Sequence, residues 1–212
     1  AVLTRLKRPL DIMSGIECSK PQRGQVLVKI AYSGVCHSQL MEARGRRGAD
    51  LYLPHFLGHE GSGKVISIGE GVSKVSPGEL VILGWIKGSG LDSGGVQYHC
   101  DSLPQNINAG GVTTFNEYAL VSENRVVPLP LDVPLDVAVL FGCALPTGAG
   151  IITNDLRPIA GSSVVVFGLG GIGMSALMAT MLFQCKKVIA VDVSADKLVL
   201  ARSFGATHII DA

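Results

Sequence analysis

Ser163-Val-Val-Val-Phe-Gly-Leu-Gly-Gly-Ile-Gly-Met174 is the stretch from which the rest of the chain can be read. Val164–Phe167 is an uninterrupted apolar run, the pattern of a strand buried on both faces of a parallel sheet. Gly168, Gly170 and Gly173 then give G-x-G-x-x-G, with Gly171 and Ile172 inside the same turn. Met174–Phe183 follows without Gly or Pro, as a helix would, and a second apolar run, Val188–Val191, ends in Asp192. Each residue type has a physical task in a dinucleotide site. Gly168 makes the tight turn, Gly170 lets the backbone approach a pyrophosphate, and Gly173 lets helix pack closely on strand. The helix N-terminus offers unpaired N–H groups to phosphates. Asp192, 24 residues after Gly168, is placed to accept hydrogen bonds from an adenosine ribose.

From Pro158 onward the rhythm is strand, helix, strand, helix, strand, ending in Thr207–Ile210. The expected helices are Gly173–Phe183 and Ala195–Phe204. Ser194 or Asp196 is available to cap the second, and Gly205 ends it. Three parallel strands make one mononucleotide-binding half of a doubly wound sheet, so residues 151–212 read as the first half of a Rossmann domain. An apolar last strand would be an exposed pairing edge, and the expectation is that the chain is a fragment of a longer polypeptide.

Upstream, residues 1–150 read as a mainly β domain. Gln25–Tyr32 alternates as a half-buried strand. Lys64–Ile68, Leu80–Leu83, Phe115–Val121 and Arg125–Leu129 follow, separated by turn signals such as Ser76-Pro-Gly-Glu79. Residues 84–113 are polar, Gly- and Ser-rich and without periodicity, which predicts a long loop. Val137–Leu140 starts a helix, and the domain boundary is expected near 145–158.

The 212 residues suffice for one large domain or two small ones. With 47% apolar and 17% charged residues the chain is not disordered, and a net charge of +1 gives no sign of nucleic acid or an acidic membrane surface as partner. No 18-residue apolar span or signal-peptide pattern is present. Five scattered cysteines do not make a disulfide framework, so a reducing, cytoplasmic setting is the default.

Cys36, His59 and Cys143 offer two thiolates and one imidazole, a three-ligand zinc set with a fourth position open. Bound zinc polarises a carbonyl or acidifies a hydroxyl, as alcohol oxidation requires. Taken singly, each has a plain alternative, a buried thiol or a satisfied structural histidine, and the sequence spacing does not choose between them.

Four motifs standing in order, Val35-Cys-His-Ser38, Gly58-His-Glu-Gly-Ser-Gly63, Gly142-Cys-Ala-Leu-Pro-Thr-Gly148 and Gly168-Leu-Gly-Gly-Ile-Gly173, make the chain resemble the medium-chain, zinc-dependent alcohol dehydrogenases from end to end. The resemblance implies an α/β fold, a β-rich GroES-like catalytic domain followed by a truncated Rossmann domain, with zinc and NAD as cofactors. It implies Cys36, His59 and Cys143 as zinc ligands, Glu60 as a carboxylate near the metal, and Ser38 as the hydroxyl that takes the alcohol proton. It implies His37 at the cofactor pyrophosphate, Thr147 near the nicotinamide, and Trp85 lining the substrate pocket. Trp85 reads equally well as an ordinary core aromatic. Asp192 implies NAD rather than NADP, with Lys197 beside the same ribose.

The implied substrate is a small alcohol or aldehyde and the implied full-length state a homo-oligomer. Three departures stand out. Gln39 replaces the family's frequent Asp; a neutral amide can still accept the imidazole's hydrogen bond but supports the metal's charge less well. Met41 replaces a relay His, and Ser89–Gly95 stands where many members carry four structural-zinc cysteines. One remaining thiol, Cys100, cannot close such a site, so one catalytic ion and no structural zinc are expected. Polyol, threonine or thiol-adduct dehydrogenases are the related alternatives, and a non-catalytic zinc- and nucleotide-binding protein is the alternative from another class. A zinc-free quinone reductase is disfavoured, because that group lacks the Cys and His ligands.

Overall fold

Strand Gln25–Ser33 is the spine of the first unit of the computed structural model, which describes residues 1–130 and 132–212. It pairs antiparallel with Gly61–Ile68 on one side and Tyr118–Ser122 on the other, and Leu80–Leu83 and Val126–Pro128 extend the sheet to five strands. Its first half is buried more fully than the expected half-buried strand. Val26 and Val28 sit in one apolar cluster with Val65, Val81 and Leu83, while Leu27 faces a second cluster with Phe56, Val96 and Leu120. The reason is a second sheet packed on that other face. Beyond a bulge between Leu27 and Val28, Lys29, Ala31 and Tyr32 are exposed.

That second sheet has the order Val2–Leu3, His55–Phe56, Ile107–Ala109, Val96–Cys100, Ile16–Glu17. Two of its strands lie in residues 84–113, where a loop was expected. Val96-Gln-Tyr-His-Cys100 alternates buried and exposed at every residue, and its partner Ile107–Ala109 is antiparallel to it. Tyr98 joins the sheets. Its ring meets Phe56 edge-on at 5.0 Å, and its Oη accepts a 2.7 Å hydrogen bond from the Leu120 N–H of the first sheet. Fully burying a side chain such as Leu83 or Leu120 stabilises by about 1.5–3 kcal/mol.

The chain divides into Ala1–Cys143 and Ala144–Ala212, seven residues ahead of the expected division at 150/151. The reason is local packing: helix Ala144–Gly150 belongs to the second unit. A Cβ on Gly148 would stand 2.7 Å from Ser175 Cβ and 2.9 Å from Ala176 N, so glycine is what lets this helix lie against helix Gly171–Ala179.

In the second unit, Ser163–Phe167, Lys187–Asp192 and His208–Asp211 form a parallel sheet in sequential order. Helices Gly171–Ala179 and Ala195–Ser203 make the crossovers. Val164, Val166, Leu177, Val188, Ala190 and Leu198 form one core, so both helices cover the same face, as two successive right-handed crossovers require. Within this chain the expected burial of Val164–Phe167 is seen on one face only: Val165 is 45% and Phe167 80% exposed. Ser194 is the N-cap of the second helix without a capping bond from its hydroxyl, and Gly205, at φ +102°, ends it. Among the described residues no single helix is long and apolar enough to cross a membrane.

Candidate functional site

Cys36 lies in extended backbone as the N-cap of helix His37–Ala43, an element absent from the strand-dominated sequence reading. His59 and Glu60 lie between strands His55–Phe56 and Gly61–Ile68, and Cys143 follows a 3₁₀ turn, Val139–Gly142. The two motif glycines let these three places converge. A Cβ on Gly34 would come within 2.6 Å of the Glu60 side chain, and one on Gly142 within 2.7 Å of Glu60 Cβ. Backbone can approach Glu60 from both sides only because neither position has a side chain.

The ligand atoms of Cys36, His59 and Cys143 lie within 4.8 Å of one another, although the two cysteines are 107 residues apart in sequence. Cys143 and Glu60 are buried, and His59 is half-buried. Burial first, and the positive charge of Arg47 second, hold the His59 imidazole below the ordinary histidine pKa, which favours its neutral, ligating form. Two soft thiolates and an imidazole suit zinc. Ser38 Oγ is fully buried with no hydrogen-bond partner among the described residues, as expected of a hydroxyl that pairs with something the polypeptide does not supply.

His37 is exposed beside this corner in sequence. Trp85 is 47% exposed, not a core aromatic, and its backbone N–H donates to the Gly142 carbonyl at 3.4 Å, which sets it beside the turn that delivers Cys143. A 670 Å³ cavity of the same unit reaches His59 and Gln39 on one side and Tyr52, His55, Gln97 and Asn108 on the other. Sequence reasoning missed a second cluster there. His55, Asp50 and Glu42 place their ligand-type atoms within 4.8 Å of one another, with His55 Nε2 2.8 Å from Asp50 Oδ2. The sequence reading assigned no element or role to His55, and no spacing pattern marks the trio.

In the second unit, Gly168 stands at φ +82°, and neither it nor Gly170 would bring a Cβ within 4 Å of any neighbour. That leaves an open cradle at the N-terminus of helix Gly171–Ala179, where Ile172 is 43% exposed. A Cβ on Gly173 would collide with the Gly168 carbonyl. Asp192 closes the turn from the neighbouring strand. Its Oδ2 accepts from Leu169 N–H at 2.6 Å and its Oδ1 from Ser194 N–H at 2.9 Å, with Lys197 Nζ 3.9 Å away. The Leu169 bond above all, then the Ser194 bond, holds the Asp192 carboxyl below its usual range. Thr147 Oγ1 is buried and without a hydrogen-bond partner among the described residues.

Residues 22–131 match the family model described as the alcohol dehydrogenase GroES-like domain. The S-(hydroxymethyl)glutathione dehydrogenase of Photobacterium damsela subsp. piscicida is 32% identical over 226 residues, covering 96% of this chain and 61% of that protein. Among solved structures, an alcohol dehydrogenase zinc-binding domain protein from Burkholderia ambifaria matches all of the chain at 30% identity and a TM-score of 0.87, over 63% of its own length. The benzyl alcohol dehydrogenase of Acinetobacter calcoaceticus matches at 30% identity and a TM-score of 0.81, with 100% of this chain and 62% of that one covered. The chain thus spans about three-fifths of the length of these relatives. With a β-rich first unit, a parallel α/β second unit and the family model over more than half its residues, the chain belongs to the medium-chain, zinc-dependent alcohol dehydrogenase family.

Proposed function

We propose that the protein carrying this chain catalyses reversible NAD-linked oxidation of an alcohol to an aldehyde or ketone. Unit 1 serves as the catalytic domain and unit 2 as the nucleotide-binding domain. The observation that carries the proposal is the convergence of Cys36, His59 and Cys143 in a family that is zinc-dependent. These three would hold one zinc ion. When bound, zinc supplies Lewis acidity toward a substrate oxygen, and NAD supplies the hydride acceptor.

The chain's own residues do the rest. Ser38, whose hydroxyl has no other partner among the described residues, takes the substrate's hydroxyl proton. Met41 carries no titratable group and so offers no onward relay from Ser38. Glu60, packed between Gly34 and Gly142, is the carboxyl that would influence or transiently approach a metal held by the three ligands. Trp85 shapes the substrate's path. Gly168, Gly170, Gly171, Ile172 and Gly173 would cradle a bound pyrophosphate, with Asp192 and Lys197 as the residues that would hold the adenosine ribose. His37 would serve the pyrophosphate and Thr147 the nicotinamide, as the family resemblance implies. The Asp192 charge disfavours a 2′-phosphate and so selects NAD over NADP.

Residues Ser89–Gly95 carry no cysteine, and no structural zinc is proposed there. The remaining features follow the sequence reading: a cytoplasmic protein, a homo-oligomer, with no nucleic acid or membrane partner. Zinc per chain and NAD reduction across an alcohol panel test the proposal. One zinc lost in Cys36→Ser together with activity supports it, and full activity without metal overturns it.

A second substrate class is favoured by the relatives themselves, several of which are named S-(hydroxymethyl)glutathione dehydrogenases. A panel containing both benzyl alcohol and the formaldehyde–glutathione adduct separates the two.

A further inference from the structure

Gln39 is the residue on which the metal corner departs from simple chemistry. It is 4% exposed and touches two of the elements that assemble the triad. Its Oε1 accepts the Cys36 backbone N–H at 2.8 Å, closing the N-terminus of helix His37–Ala43 in the manner of a capping box. Its Nε2 lies 2.5 Å from His59 Nδ1. An amide has one acceptor end and one donor end. With the oxygen committed to Cys36, the end facing His59 is the NH₂. The expectation that this amide accepts a hydrogen bond from the imidazole is therefore reversed. The imidazole is the acceptor at Nδ1, and in the neutral ring the proton sits on Nε2.

With Nδ1 turned to Gln39, Nε2 is the nitrogen left for a metal, and a ligating Nε2 must shed its proton to Nδ1. Nδ1–H would then face the amide NH₂, donor against donor. Turning the amide over repairs that contact but sets its NH₂ against the Cys36 N–H, which loses its acceptor at a buried helix end. A carboxylate in the same place would accept from both.

We propose that Gln39 is a positioning residue that holds His59 in the tautomer opposed to metal ligation, so that this centre binds zinc more weakly than the same three ligands otherwise would. The proposal rests on the zinc reading of Cys36, His59 and Cys143.

The test is Gln39→Glu, which keeps length and shape and replaces the NH₂ by an acceptor. At pH 8, where protons compete little for the imidazole, zinc affinity is measured by competition with a chromophoric chelator. Gln39→Glu is expected to tighten zinc by about 10- to 100-fold, the range by which such supporting groups change metal affinity. Long-range ¹H–¹⁵N spectra of the metal-free proteins provide a readout independent of activity. His59 should carry its proton on Nε2 in the natural protein and on Nδ1 in Gln39→Glu. Equal or weaker zinc binding by Gln39→Glu, or an unchanged tautomer, overturns the proposal and leaves the triad standing. Zinc uptake that Cys36→Ser does not alter overturns the triad and the proposal together.

Discussion

Two parts of the first unit solve the same mechanical problem in opposite ways. At the triad, Cys36, His59 and Cys143 come from three separate elements and bring their ligand-type atoms within 4.8 Å of one another. At the Glu123 corner, loops 32 to 50 residues away in sequence meet around a carboxylate. Glu123 Oε1 accepts the N–H groups of Ser73 at 2.7 Å and Lys74 at 2.9 Å, and Oε2 accepts that of Leu91 at 2.7 Å. Ser122 Oγ accepts the Ser93 N–H at 3.0 Å, and Lys87 pairs with Asp92 at 2.6 Å. Ser89–Gly95 is thus tied down by oxygen acceptors in the place where many family members carry their metal-binding cysteines. A soft donor set serves an electrophile that must change partners, whereas a fixed carboxylate serves a loop that need only stay in place.

If that contrast holds, substitutions at the two corners should fail differently. Cys36→Ser or Cys143→Ser should abolish zinc uptake at the triad and lower kcat/KM on the order of 10³-fold or more, with little change in Tm of the metal-free protein. Metal analysis with calorimetry checks this, and a Tm collapse in the metal-free state would make the triad a folding element instead. Glu123→Ala should do the reverse. Three partly buried N–H donors lose one acceptor group, a loss of about 1–3 kcal/mol in stability, with zinc stoichiometry unchanged. Urea unfolding reads it.

The contrast also has a pH signature. Burial raises the Glu123 carboxyl pKa, but the Leu91, Ser73 and Lys74 N–H groups and the Lys74 charge outweigh it and hold the pKa below the ordinary 4.5. A carboxyl depressed in the folded state contributes stability that is fully present above its unfolded pKa and is lost as pH falls through the folded one. Stability should therefore drop as pH falls below about 4.5, and Glu123→Gln should flatten that part of the curve. A smaller effect is expected in the second unit. Asp192→Asn weakens the acceptor for Leu169 N–H and removes the carboxylate charge proposed to hold the adenosine ribose and to disfavour a 2′-phosphate. NAD affinity should fall about tenfold and the preference for NAD over NADP should narrow, as titration with both nucleotides would show.

The nucleotide cradle was legible because its logic is local. Strand, Gly168, Gly170, Gly173, helix and Asp192 fall within 30 consecutive residues. The metal corner was not legible from spacing, because nothing between Cys36 and Cys143 records that Gly34 and Gly142 both close on Glu60. Residue chemistry made the three side chains a candidate set, but only the resemblance chose that set over a buried thiol or a structural histidine. Strands Val96–Cys100 and Ile107–Ala109 were missed because glycines, serines and prolines around them hide two short alternating runs. The Glu123 clamp was missed because a glutamate at a strand end ordinarily faces water. That Val164 and Val166 are buried while Val165 and Phe167 are exposed depends on where both crossover helices lie, which no apolar run states. Gln39 was noticed, but the direction of its amide depends on the Cys36 N–H, a partner visible only in three dimensions.

Zinc-edge X-ray absorption on the metal-loaded protein tests the central claim most directly. Two sulfurs at about 2.3 Å and one imidazole nitrogen at about 2.0–2.1 Å, reduced to one sulfur in Cys143→Ser, are the predicted shell. A zinc shell without sulfur, or one that Cys143→Ser leaves intact, would contradict it.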